Sequence, residues 1–127
     1  MYSERDKFRA EGLRALKALQ AGGHGKVLTT DFVVAETLNF FVARSRDPGL
    51  PERVAQEILG GANAPWVKVL PVDQATWQSA RERFRGLSKR GLSFTDCTSI
   101  AAVELLGLDG IVSFDEGFDG IVARFVE

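Results

Sequence analysis

Short apolar runs bounded by turn residues alternate in this chain with longer stretches of helical periodicity, and few folds accommodate that alternation. The runs are KVLTT (26–30), WVKVLPV (66–72), DGIVSF (109–114) and the tail GIVARFVE (120–127). Phe8, Leu13, Leu16 and Leu19 recur at helical spacing over 5–21, and Gly22 and Gly23 stop that run. Asp31 can cap a second helix over roughly 31–45. RDPGLP (46–51) is a connector, residues 52–60 form a short helix, and Asp73 caps a helix over 74–87. After the polar loop SKRGLS (88–93), FTDCTSIAAVELLG (94–107) reads as a helix with Thr95 or Asp96 at its start and Gly107 at its end. Helices alternating with short apolar strands predict an α/β fold, a parallel sheet covered on both faces.

A length of 127 residues, 45% apolar and 26% charged, suits one domain spanning 1–127 with one core. The net charge of −1 excludes a global basic field, so any nucleic-acid binding must rest on a local patch. Cys97 is the sole cysteine, which excludes a disulfide framework and fits a reducing, cytoplasmic setting. The N-terminus MYSERDKFRAEG lacks the apolar segment of a signal peptide, and no run is long enough to span a bilayer. The expectation is a soluble cytoplasmic protein with no membrane partner and no internal repeat.

Three carboxylates stand out by context. Glu36 has Phe32, Val33 and Phe40 within one helical turn, with Asn39 as its only polar neighbour and no Lys or Arg in reach. A carboxylate on an apolar face needs a partner, because burying it alone is costly, unless that face is less buried than it looks. Asp96, near a helix start, is explained by capping and the helix dipole alone. Asp115 lies just past the carboxyl end of a strand, where open α/β sheets bind ligands. For Glu116 and Asp119 a solvated turn is the simpler account. Three converging acids without His or Cys suit a hard, oxygen-preferring cation, Mg²⁺ or Mn²⁺. Such an ion can orient water and stabilise charge on a phosphodiester.

Other features have plain readings. His24 belongs to a solvated loop, and Trp66 and Trp77 to the core or its rim. Cys97 is a small helix residue. RERFRGLSKRGLS (81–93) carries Arg81, Arg83, Arg85, Lys89 and Arg90 and runs into the Asp96 segment. A basic run is usually a solvated face; the alternative is phosphate contact, with Arg85, Lys89 and Arg90 as candidate substrate-binding residues.

The sequence resembles the PIN-domain family, and within it the VapC-type toxins. LTTDFVVAETLNFFVAR, with Glu36, looks like the family's second acidic motif. LSFTDCTSIAAVELLG, with Asp96, looks like the third. GIVSFDEGFD looks like the fourth, with Asp115 as its acid and Ser113 in the hydroxyl position, and RDKFRAEGLRAL looks like the first helix. The resemblance implies a Rossmann-like α/β/α sandwich with a mostly parallel sheet. It implies Mg²⁺- or Mn²⁺-dependent cleavage of structured RNA such as tRNA by a metal-activated water. Glu36, Asp96 and Asp115 would be catalytic and metal-binding, with Ser113, Asn39 and Asp119 supporting. It further implies a homodimer and a cognate antitoxin that occludes the site.

One departure bears on activity. The family opens with an apolar strand ending in an aspartate, whereas this sequence starts at MYSERDKF, and Asp6 is no equivalent because it belongs to the helix start. The expectation is weak metal binding and poor cleavage by the sequence as given. The competing reading is a PIN-like module that binds RNA or a partner protein without efficient catalysis. A phosphate-binding regulator has less support.

Overall fold

The computed structural model describes residues 27–60, 67–113 and 116–125. The sequence-predicted helix over 5–21, His24, Trp66 and Asp115 lie outside the described residues. Strand β1 (Leu28–Thr30) leads directly into helix α1 (Asp31–Arg44), and α2 (Leu50–Leu59) follows. Strand β2 (Lys68–Leu70) then precedes α3 (Gln74–Leu87), a 3-10 turn (Ser88–Arg90) and α4 (Phe94–Leu106). Strand β3 (Ile111–Val112), a second 3-10 turn (Glu116–Phe118) and β4 (Arg124–Phe125) complete the order.

The described strands pair in parallel, as the alternation predicts. β1 pairs with β2 in the register Leu28 to Lys68, and β3 with β4 in the register Ile111 to Arg124. A parallel pair needs a crossover, and between β1 and β2 the chain runs through α1 and α2. The described strands are shorter than the apolar runs that announced them, and they form two pairs rather than one ribbon. Gly110 sits where β3 meets the chain before β4. A Cβ there would run into the Ala123 carbonyl oxygen, which accepts the Ile111 N–H at 2.9 Å.

Helix boundaries follow local chemistry. Thr30, not Asp31, is the N-cap of α1, with its hydroxyl accepting the Val33 N–H at 3.2 Å. The difference is one residue, and it frees the Asp31 carboxylate for another task. Asp73 caps α3 as predicted, taking both the Thr76 N–H and the Thr76 hydroxyl. Those bonds hold the Asp73 carboxyl below its usual value of 3.8. Ser93, rather than Thr95 or Asp96, caps α4, and Gly107 ends that helix in the left-handed region at φ 64°. The polar loop expected at 88–93 contains a 3-10 turn.

The core lies between α3 and α4 and runs on towards β3. Ala80, Cys97 and Ala101 are fully buried, with Leu87 and Phe94 packed on them. Small side chains at this seam let the two helices approach closely. Ile100, Leu92 and Phe118 extend the packing to Ile111 and Ile121. Among the described residues no helix is long and apolar enough to cross a membrane.

Candidate active site

One face of α1 opens onto a shallow pocket of about 570 Å³, lined by Asp31, Phe32, Ala35, Glu36, Asn39 and Thr95. Five of these come from α1, with spacings of three and four residues that place them on one face. Thr95 comes from the first turn of α4, which packs against α1. The pocket therefore lies beside the positive end of α4, where a negatively charged group is favoured.

Glu36 is exposed, as is Asn39 beside it. The question its apolar neighbours raised is settled by exposure: the face is open, and no buried counter-ion is needed. Glu36 makes no hydrogen bond or ion pair with any described residue. Asp31 behaves differently. Its Oδ1 accepts the Phe32 N–H and, at 2.9 Å, the Val72 N–H, which ties the start of α1 to the segment after β2.

Asp96 stands one residue from the pocket wall. Its Oδ2 accepts the Ser93 N–H at 2.9 Å, while the Ser93 hydroxyl accepts the Asp96 N–H at 3.0 Å. This reciprocal capping box holds the first turn of α4 and presents Thr95 to the pocket. Glu36 and Asp96 thus sit on two helices in contact, and Asp115 lies outside the described residues. Among the described residues no three His, Cys, Asp or Glu side chains gather closely enough to hold a metal by themselves. Next to Asp96, Cys97 is sealed in the α3–α4 seam. Burial pushes its thiol pKa up, the Asp96 charge pushes the same way and Arg83 opposes both, so the thiol stays protonated and is a packing residue.

The acids and bases nearer the C-terminus are bound up with one another. The Asp119 carboxylate accepts from Arg124 Nε at 2.7 Å and from Arg124 Nη2 at 3.2 Å. Arg124 Nη1 also donates to the Ser113 carbonyl at 3.2 Å. The hydrogen bond from Arg124 is the main reason the Asp119 carboxyl falls below its usual value, and the charges of Arg124 and Arg90 add to it. Arg90 donates to the Gly117 and Asp119 carbonyls at 2.8 and 2.9 Å. That makes it a brace between the first 3-10 turn and the second. Arg83 is paired with Glu104 across the α3–α4 seam. Arg81, Arg85 and Lys89 are exposed and have no ion pair with a described residue.

Sequence reading picked Glu36 and Asn39 as site residues and treated Asp31 and Thr95 only as helix starts. A signal was available for both. Asp31, Ala35 and Asn39 recur every four residues beside Phe32 and Glu36, and Thr95 precedes a singled-out aspartate.

Comparison with known proteins places this geometry in context. Residues 4–123 match the family model described as the PIN domain. Among solved structures, the Mycobacterium tuberculosis toxin VapC20, described as cleaving the sarcin–ricin loop, superposes with a TM-score of 0.66 at 26% identity. The superposition covers 84% of this chain and 79% of that one. A comparison with curated proteins found no match.

Proposed function

The chain belongs to the PIN domain family, and from that premise we propose that it is a toxin-type endoribonuclease that cuts structured RNA at the α1–α4 pocket. The observation that carries the reading is Glu36, an exposed carboxylate with no partner among the described residues, on the wall of a pocket that also holds Asn39 and Thr95. A carboxylate engaged in holding the fold has partners in its own chain, and Glu36 has none among the described residues. The likeness to a toxin described as cleaving the sarcin–ricin loop supports RNA as the substrate.

The donors here are all oxygen or amide groups, a set that suits Mg²⁺ or Mn²⁺ and disfavours softer ions. Mg²⁺ commonly needs only one or two protein carboxylates, because it retains water and binds substrate phosphates. The described residues fit that sparse requirement even though they gather no three-acid cluster. Glu36 would hold the ion together with Asp96 and Asp115; when bound, it supplies positive charge against the phosphodiester and lowers the pKa of water. The chain's own groups supply orientation. The Asn39 amide and the Thr95 hydroxyl can donate to a phosphate oxygen, and the start of α4 adds its dipole. The Ser93–Asp96 box holds Thr95 in place without crossing the pocket. A neighbouring antitoxin that covers this pocket, and a homodimer, complete the proposal as partners.

A second reading is a PIN-like module of weak catalysis. The capping role of Asp96 favours it, because that carboxylate already has one oxygen occupied. The two readings separate in one assay: a stem–loop RNA incubated with the protein in EDTA, in Mg²⁺ and in Mn²⁺. Cleavage in either metal and none in EDTA supports the ribonuclease. RNA binding without cleavage in all three supports the weaker module.

A further inference from the structure

Helix α3 carries a surface that neither the pocket nor the core uses. Trp77, Arg81, Phe84 and Arg85 fall at relative positions 0, 4, 7 and 8, one face of a helix. Trp77 and Phe84 are 38% and 37% exposed although both are large aromatics. They flank Phe94, with ring centroids 5.7 Å away in each case. Phe94 is the residue before Thr95, so this aromatic platform and the pocket occupy neighbouring sides of one helical turn.

The charge on that face is equally selective. Of the five cations between 81 and 90, Arg83 is bound to Glu104 and Arg90 to the loop carbonyls. Arg81, Arg85 and Lys89, spaced four apart, have no ion pair with a described residue. Glu82 is the only acid of α3. Half-exposed aromatic rings interleaved with uncompensated arginines are the chemistry of a single-strand platform: rings stack on bases while cations track phosphates.

We propose that the Trp77–Arg81–Phe84–Arg85 face of α3 binds an unpaired stretch of RNA beside the pocket. Trp77 and Phe84 stack on its bases, and Arg81, Arg85 and Lys89 hold its phosphates. The choice of RNA rests on the ribonuclease reading; the distinction between unpaired and paired RNA comes from the rings. A second copy of the chain is the less suitable occupant. A twofold contact through this face would bring both copies' Arg81, Arg85 and Lys89 into one interface, with Glu82 as the sole acid of α3 to offset them.

The test uses the full chain in EDTA, so that binding is read without cleavage. The probes are a hairpin RNA with 2-aminopurine in its loop and a blunt duplex of the same stem, titrated at several KCl concentrations. Trp77→Leu should weaken hairpin binding about tenfold, abolish the stacking-induced change in 2-aminopurine fluorescence and leave duplex binding within about twofold. Trp77→Phe should restore most of the loss. Arg81→Gln with Arg85→Gln should weaken both RNAs and lower the salt slope by roughly 1 to 2. If Trp77→Leu unfolds, as judged by circular dichroism, Phe84→Leu makes the same comparison. Equal losses on hairpin and duplex, or none, would overturn the proposal. So would a wild-type dimer that Trp77→Leu converts to a monomer, since the face would then be a protein interface. Mn²⁺-dependent cleavage of the hairpin is scored separately. Stacking without cleavage counts against the ribonuclease reading and leaves this surface standing.

Discussion

Glu36 on the α1 face and Asp119 in the turn before β4 are both acids that sequence singles out, yet their surroundings treat them in opposite ways. On α1, Glu36 is exposed on a pocket wall and has no partner among the described residues. In the loop, Asp119 is clasped by Arg124, and Arg90 reaches across to brace the carbonyls of Gly117 and Asp119. Asp119 is held by the chain's own cation. Glu36 has no such partner among the described residues. Residue type does not distinguish them, and proximity in sequence does not either. What separates the two is that Asp119 is paired with Arg124, whereas Glu36 has no partner among the described residues.

The largest contrast this predicts is between two neutralising substitutions. Glu36→Gln should lower RNA cleavage by at least about 100-fold, as loss of a site ligand does, with no loss of thermal stability because it breaks no bond to a described residue. Asp119→Asn should do the reverse, leaving cleavage within a few-fold while lowering the unfolding temperature. Parallel cleavage assays and thermal melts check the pair.

Asp96 falls between these extremes, since its carboxylate both caps α4 and stands next to the pocket. Ser93→Ala removes only the cap and should cost about 1 kcal/mol of stability with a modest effect on cleavage. Asp96→Asn should cost cleavage far more than stability. If the two variants lose activity equally, Asp96 acts only by holding the helix.

A smaller effect concerns Arg90. Arg90→Ala removes two hydrogen bonds and should cost about 0.5–1.5 kcal/mol in chemical denaturation. Because its guanidinium is already engaged, the salt slope of RNA binding should not change. A lower slope would return Arg90 to the RNA-binding set in which the sequence pattern placed it.

The smallest effect is on pH. Asp119 and Asp73 both have carboxyls depressed below 3.8 by bonds made only in the folded chain. Their stabilisation is complete above that value and disappears as pH falls through the depressed values. Unfolding midpoints should therefore drop in acid, and Asp119→Asn should flatten that decline. A midpoint that is flat down to pH 2 would mean the clasp contributes nothing.

Much of this architecture was legible in the sequence. Apolar runs marked where the strands lie, and Asp73 and Gly107 mark helix ends by chemistry that needs no tertiary context. Glu36 stood out because a carboxylate among Phe32, Val33 and Phe40 contradicts its neighbours. The cap of α1 was misread by one residue because Thr30 and Asp31 are both good caps, and only the Val72 N–H, distant in sequence, decides which of them is used. Arg90 was grouped with Arg85 and Lys89 because the three are indistinguishable within the basic run. Its carbonyl partners lie 27 and 29 residues further on, beyond the reach of local patterning.

Glu36 is available to a cation, and Asp119, clasped by Arg124, is not. Mn²⁺ binding, followed by the loss of the free-ion electron paramagnetic resonance signal, tests it directly in wild type, Glu36→Gln and Asp119→Asn. Glu36→Gln should weaken Mn²⁺ binding at least about tenfold while Asp119→Asn matches wild type. Unchanged binding in Glu36→Gln, or a comparable loss in Asp119→Asn, would contradict it.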